Sequence, residues 1–289
     1  MVSAASSNGA DPGLVGPNSV TWHLHADPAM WLGGITSLFL QSLHPLAAAG
    51  VVQNSNFRED PLGRLIRTAR FVGMSTYAPI EEVHAGAAKV RAVHRGLRGK
   101  DPATGRTFRI DQPDLLLWVH CAEVAMFLSV VRRAGLRLTK SQADHYFDEQ
   151  RHSAALVGLD PDEVPGSTEQ MAAYFRDIRG ELRHGDDSEV VYEFLHKPPL
   201  PGVLGLGVPV YESAVAHLAY SLLPRWAIRL HGHAAYSPAA STAMLRAVRS
   251  AALLVPASIR WRSPHGYVPR AMRRLGSAVR PSTKSLPVD

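Results

Sequence analysis

His94 is set among fourteen histidines where it could hold a metal. It follows Val90 by four residues and precedes Leu97 by three, and Val83 and Ala87 continue the stripe, so the imidazole shares the apolar face of a helix. A neutral imidazole in an apolar slot is what an axial ligand to haem iron requires. A core histidine bonded to a backbone carbonyl fits the same position. Arg64, Arg67 and Thr68 are spaced to share one face of the preceding helix, with Leu62, Leu65, Ile66 and Ala69 on the other side. Such a face suits solvent, or a polar pocket where arginines pair with carboxylates such as haem propionates. His44 precedes Pro45 after an apolar run, and His120 stands beside Trp118 and Cys121 in an apolar helix. Each fits a pocket group that orients a ligand, and each fits a structural histidine with its own partner.

A second constellation offers different chemistry. Glu149-Gln150-Arg151-His152 is a Glu-x-x-His motif on a helical segment, and His120-Cys121-Ala122-Glu123 is the same pair reversed. Paired Glu-x-x-His motifs build di-iron carboxylate sites in helical bundles, although here one motif runs the wrong way. An exposed helix face explains a single motif equally well. The sequence has no dinucleotide-binding glycine pattern, no phosphate-binding loop, no nucleophile elbow and no HExxH. Cys121 is the one cysteine, which excludes a disulfide scaffold and a cysteine-built zinc or iron–sulfur site.

The elements that must position these groups read as helices almost throughout. Asp60-Pro61 opens a helix to about residue 72, ending near Gly73, and the next spans about 80–98. Residues 31–43 form an apolar helix that His44-Pro45 kinks or ends. Phe108 and Ile110 suit a short extended piece. Residues 114–133 are apolar nearly all round, the pattern of a helix at the centre of a domain. Thr139 to Gln142 and Ser167 to Gln170 carry capping signatures for helices to about 157 and 183. Breaks fall at Gly185-Asp186-Asp187 and at 197–202, and two late helices cover about 211–231 and 241–261. The fold class is all-α: a single multi-helix bundle over residues 21–275, between a disordered leader (1–20) and a disordered tail (276–289).

Composition supports a globular chain: 46% of residues are apolar and 19% charged. The net charge of +6 is unevenly placed, with +10 from Arg225 onward and −4 before it. The basic end includes Arg246, Arg249, Arg260, Arg262, Arg270, Arg273 and Arg274. It fits a solvated bundle face, or an amphipathic surface resting on an anionic membrane. No reading motif or row of stacking aromatics supports nucleic-acid binding. No signal peptide and no run of about 18 apolar residues is found, so a cytoplasmic location is expected, with peripheral membrane contact as the variant.

Five segments together resemble the bacterial domain family that includes the catalytic domain of rubber oxygenase (latex-clearing protein) and the fungal MpaB oxygenase. They are LFLQSLHPLAAAGV (38–51), NFREDPLGRLIRT (56–68), VRAVHRGLRG (90–99), DLLLWVHCAEV (114–124) and ALVGLDPDEVPGS (155–167). The resemblance covers Trp22 to Phe175, with a weaker extension to Trp226. It implies an all-α fold holding b-type haem, and oxidative cleavage of carbon–carbon double bonds in isoprenoid chains by O2. It matches His94 to the proximal haem ligand, and Arg64-Leu65-Ile66-Arg67-Thr68 to the family's Arg-x-x-Lys-Thr motif. Arg67 replaces the lysine that can close the distal iron position, and a guanidinium is a poor iron ligand. No glutamate matches a catalytic one near the haem. The implied function is a haem-dependent oxygenase acting on an apolar, isoprenoid or lipid substrate. The alternatives are a non-haem di-iron oxidase, or a haem- or lipid-binding or membrane-peripheral protein without turnover.

Overall fold

The computed structural model describes residues 9–54, 60–199, 208–263 and 265–287. The described residues are helical with two three-residue strands, in agreement with the all-α expectation. In chain order the elements are α1 (Val20–Leu24), α2 (Met30–Gln41), α3 (Pro45–Asn54), α4 (Pro61–Tyr77), α5 (Ile80–Gly96), β1 (Arg98–Lys100) and β2 (Thr107–Arg109). There follow α6 (Pro113–Arg133), α7 (Lys140–Val157), α8 (Thr168–Asp177), α9 (Asp186–His196), α10 (Val208–Tyr211), α11 (His217–Ser221), α12 (Arg225–His231), α13 (Pro238–Leu254), α14 (Ala257–Arg260) and α15 (Tyr267–Leu275). The strands form an antiparallel hairpin with Gly99 opposite Phe108.

The apolar α6 is the axis of the core. Trp118, Cys121, Ala122, Val130 and Val131 are fully buried on it. By length and composition it could cross a membrane, yet two thirds of it is enclosed by the rest of the fold, as in the central helix of a domain. α2 lies along it, and Gly33 permits the close approach: a Cβ there would stand 3.3 Å from the Phe127 backbone. The chain then turns by 106° between α2 and α3. Trp118 Nε1 donates to the Gln41 carbonyl at 3.0 Å and fastens the end of α2 to α6.

Several boundaries differ from the sequence reading. α4 does not stop near Gly73 but runs to Tyr77, because Tyr267 of α15 packs over the glycine and compensates for its poor helix propensity. The expected 211–231 helix is broken before Pro224, and the expected 241–261 helix before Pro256. Gly185-Asp186-Asp187, read as a break, starts α9: the acids fill its first turn, where the helix dipole favours them. The tail from Gly276 makes contacts with the body of the fold. Trp22 Nε1 donates to the Val279 carbonyl at 2.9 Å, Gln142 Nε2 donates to that of Pro287 at 2.7 Å, and Arg280 covers the Trp261 ring. Of the expected leader, residues 1–8 lie outside the described residues, as do 56–59 of the motif segment, 200–202 of the expected break, the side chain of Leu62 and residues 288–289.

Candidate functional site

Asp60 caps α4 by accepting from the Gly63 amide at 2.9 Å, with Pro61 in the first turn. Its other oxygen pairs with Arg67 at 2.8 Å, and both partners are exposed. Thr68 is exposed and donates to the Arg64 carbonyl at 3.3 Å. One turn of the helix inverts its expected polarity, with Ile66 exposed and Arg64 half-buried. Burial and the like charge of Arg67 lower the Arg64 guanidinium from its ordinary value. It still carries its charge at neutral pH, so the fold sets a cation on the inner side of α4.

α5 returns after Ala78 and Pro79, with Met74 lying over Gly86 beside the turn. Val83 and Ala87 are buried, and the same stripe carries His94, which is half-buried. His94 Nδ1 is enclosed and has no hydrogen-bond partner. Desolvation lowers its pKa, so the ring is neutral at pH 7 with a lone pair to offer. His44 is buried at the α2–α3 bend, its ring 6.1 Å from that of Trp118, and its Nδ1 is likewise unpartnered. Asp114 and Glu181 act electrostatically on both His44 and Tyr174, which places the two in one neighbourhood, and the Tyr174 hydroxyl is also enclosed without a partner. His120 is buried within α6, its Nε2 is unpartnered, and burial pushes its pKa down to about 4.

Arg64 and Thr68 are therefore joined, and Arg67 is near enough to act on Arg64. Among the described residues no hydrogen bond or ring contact joins His94, His44 and His120 to one another. Each instead holds a buried nitrogen whose lost solvation is uncompensated, and such groups are rare in folded proteins.

The di-iron constellation does not assemble. Glu149 accepts from the Val20 and Thr21 amides at 2.9 and 2.8 Å and so anchors the start of α1, while His152 is exposed. Glu123 lies near Tyr146, and desolvation raises its pKa to about 7. Among the described residues these four side chains form no metal-ligating group. An open apolar groove of about 440 Å³ runs between α6, α7, α8 and α12, lined in part by Met126, Phe147, Met171, Phe175 and Trp226. None of the expected site residues lines it.

Sequence reasoning passed over two polar groups. His25 bridges Thr76 at 2.8 Å and Tyr146 at 3.2 Å. His184, Glu189, His231 and His233 meet between α9 and α12, and the His231-Gly232-His233 spacing is a signal that could have found them.

Residues 22–255 match the family model described as ER-bound oxygenase mpaB/B'/Rubber oxygenase, catalytic domain. The chain belongs to this family. The match runs well past Trp226 and takes in α4, α5, the core helix α6 and all of α13. It gives the chain an oxygenase-type domain of the oxidoreductase class, whose general reactants are a small molecule and O2. Comparison with curated proteins and with solved structures finds no match.

Proposed function

We propose that the protein is a b-type haem-dependent oxygenase that acts on an apolar, isoprenoid or lipid substrate, and that His94 would hold the haem iron. The observation that carries this reading is the half-buried, neutral His94 imidazole, whose Nδ1 is enclosed without a partner, on the apolar stripe of α5 in an oxygenase-family chain. The half-buried cation of Arg64 suits a propionate carboxylate, and Arg67 would reach a second carboxylate by exchanging it for Asp60. When bound, haem supplies a redox-active iron for oxidation of the substrate by O2, including cleavage of a carbon–carbon double bond. The chain's own part is to hold the iron through a histidine kept neutral by burial, and to fix carboxylates with arginines. Thr68 would hydrogen-bond beside Arg64, and His44 and His120 would orient ligands or hold water with their unpartnered nitrogens. A guanidinium is a poor iron ligand, so Arg67 would serve the carboxylates of the group and not its iron.

The exposed side chains of Leu253, Leu254, Val255 and Ile259, on the segment that also carries the exposed Arg246 and Arg262, support contact with an anionic membrane surface through the basic end.

The test is the absorption spectrum of the purified protein reconstituted with haem. The expected result is a Soret band that is lost in His94→Ala while the far-ultraviolet circular dichroism is unchanged. Equal haem binding by the variant would remove His94 from the site.

A further inference from the structure

We infer that His184, Glu189 and His233 form a second site, which binds one divalent first-row transition-metal ion with two imidazoles and one carboxylate. His184 Nε2 and His233 Nε2 lie 2.7 and 2.8 Å from the same oxygen, Oε2 of Glu189. One ligand atom from each of the three residues falls within 4.8 Å of the others, a condition that no other such group meets among the described residues.

The surrounding bonds orient His184 as a metal ligand. His231 Nε2 is 2.9 Å from the Phe39 carbonyl, and a carbonyl only accepts, so that nitrogen carries the proton. In the neutral ring, His231 Nδ1 is then an acceptor. It lies 3.1 Å from His184 Nδ1, which must be the donor. A neutral His184 consequently turns its Nε2 lone pair toward the Glu189 oxygen. Two acceptors at 2.7 Å require positive charge at that place, either a proton or a metal ion. A ligating histidine whose other nitrogen donates to a fixed acceptor is the usual arrangement around protein metals.

The supports are rigid on both sides. Ser188 donates to the Ser42 carbonyl at 2.6 Å, and the Arg183 amide donates to that of Leu43 at 2.9 Å, so the segment carrying His184 and Glu189 is fixed to the α2–α3 bend. His233 follows Gly232, the left-handed cap of α12, and stacks on Tyr192 with ring centroids 3.8 Å apart and planes 10° from parallel. All three ligands are part-exposed, so solvent can complete the coordination shell. Two nitrogens and one carboxylate oxygen with open positions suit Zn2+ or Fe2+, and are too nitrogen-rich for Ca2+ or Mg2+. Such an ion would tie the start of α9 to the end of α12.

The test is calorimetric titration of the full chain, treated with chelator and desalted, with zinc chloride alone. One equivalent should bind, and the melting temperature should rise with zinc concentration. His184→Ala and His233→Ala should each lose binding by at least tenfold, and His231→Gln should lose about 10–100-fold through the misdirected His184. Glu189→Gln, more exposed and close in shape, keeps the test valid if a histidine variant fails to fold, and it too should bind at least tenfold more weakly. His94→Ala and His152→Ala should bind as the parent does. Absence of binding by the parent, or binding unchanged in the folded His233→Ala and Glu189→Gln variants, would overturn the site whatever the haem experiment shows.

Discussion

The Arg249 guanidinium of α13 clasps the Asp27 carboxylate with contacts of 2.6 and 2.9 Å, and Asp27 also accepts from the Ala29 amide ahead of α2. A residue of the strongly basic end thus neutralises a buried acid at the entrance to the core. Arg270, paired with Glu82, and Arg274, bonded to the Asp11 and Tyr77 carbonyls, do similar work, so part of the basic surplus is structural.

Removal of one partner tests that conclusion. Asp27 is 4% exposed and Arg249 18%, so Arg249→Ala leaves a buried carboxylate unpaired. The expected loss is about 3–5 kcal/mol, read by urea denaturation, and the Asp27→Asn/Arg249→Ala double variant should recover a large share of it. A loss below about 1 kcal/mol would mean the pair behaves as a surface ion pair.

Acid should unfold the protein by way of two neutral histidines. Thr76 gives its hydroxyl proton to the Val72 carbonyl, so His25 donates from Nδ1 and receives the Tyr146 hydroxyl at Nε2. Protonation of Nε2 would break the second bond. The His25 pKa is held at about 3 and that of His120 at about 4, against 6.5 without burial. Below pH 6.5 the unfolded chain takes up protons that the folded chain refuses. Stability is therefore whole above that pH and falls as pH drops toward 4, by about 2–3 kcal/mol per pH unit from the two groups together. Denaturation midpoints across pH 4–7 should flatten in His25→Gln/His120→Asn, and an equally steep profile would assign the acid sensitivity elsewhere.

What the sequence could disclose was governed by range. The capping box of Thr139 and Gln142 and the Asp60 cap involve neighbours three residues apart, and both form as expected. The apolar surround of α6 announced a core helix for the same local reason. Arg64 could not be placed by periodicity, since an arginine on a polar face faces solvent or a pocket with the same spacing. Glu149 looked like a ligand because nothing local shows that the α1 amides, some 130 residues away, will claim its oxygens. The bond from Trp22 to the Val279 carbonyl spans most of the chain and is likewise invisible to local reading. The His184 group joins residues more than forty positions apart, and only its His231-Gly232-His233 half was legible.

Glu123 gives a pH effect of opposite sign. Desolvation lifts its carboxyl to about 7 from 4.5. At pH 4 it is protonated in both states and contributes nothing. As pH rises from 4.5 through 7 the unfolded chain releases the proton first, and stability is lost. Glu123→Gln should therefore raise stability at pH 8 by about 1–3 kcal/mol and leave it unchanged at pH 4. An equal effect at both pH values would trace the change to packing instead of charge.

The exposed apolar corner at α13 and α14 makes the membrane proposal specific. Leu254 is 85% exposed and Ile259 55%, with Leu253 and Val255 beside them and Arg260 donating to the Val255 carbonyl at 2.9 Å. Burial of these side chains in a headgroup region would contribute by area, and exposed arginines add about 1 kcal/mol each on anionic lipid. The protein should float with vesicles containing phosphatidylserine at low salt and dissociate at high salt. Leu254→Asp/Ile259→Asp should reduce the floated fraction by at least tenfold without changing the melting temperature, because neither side chain packs in the core. Flotation of the double variant at the parent's level would show that this corner is not the contact, and attachment to uncharged vesicles alone would remove the arginines from it.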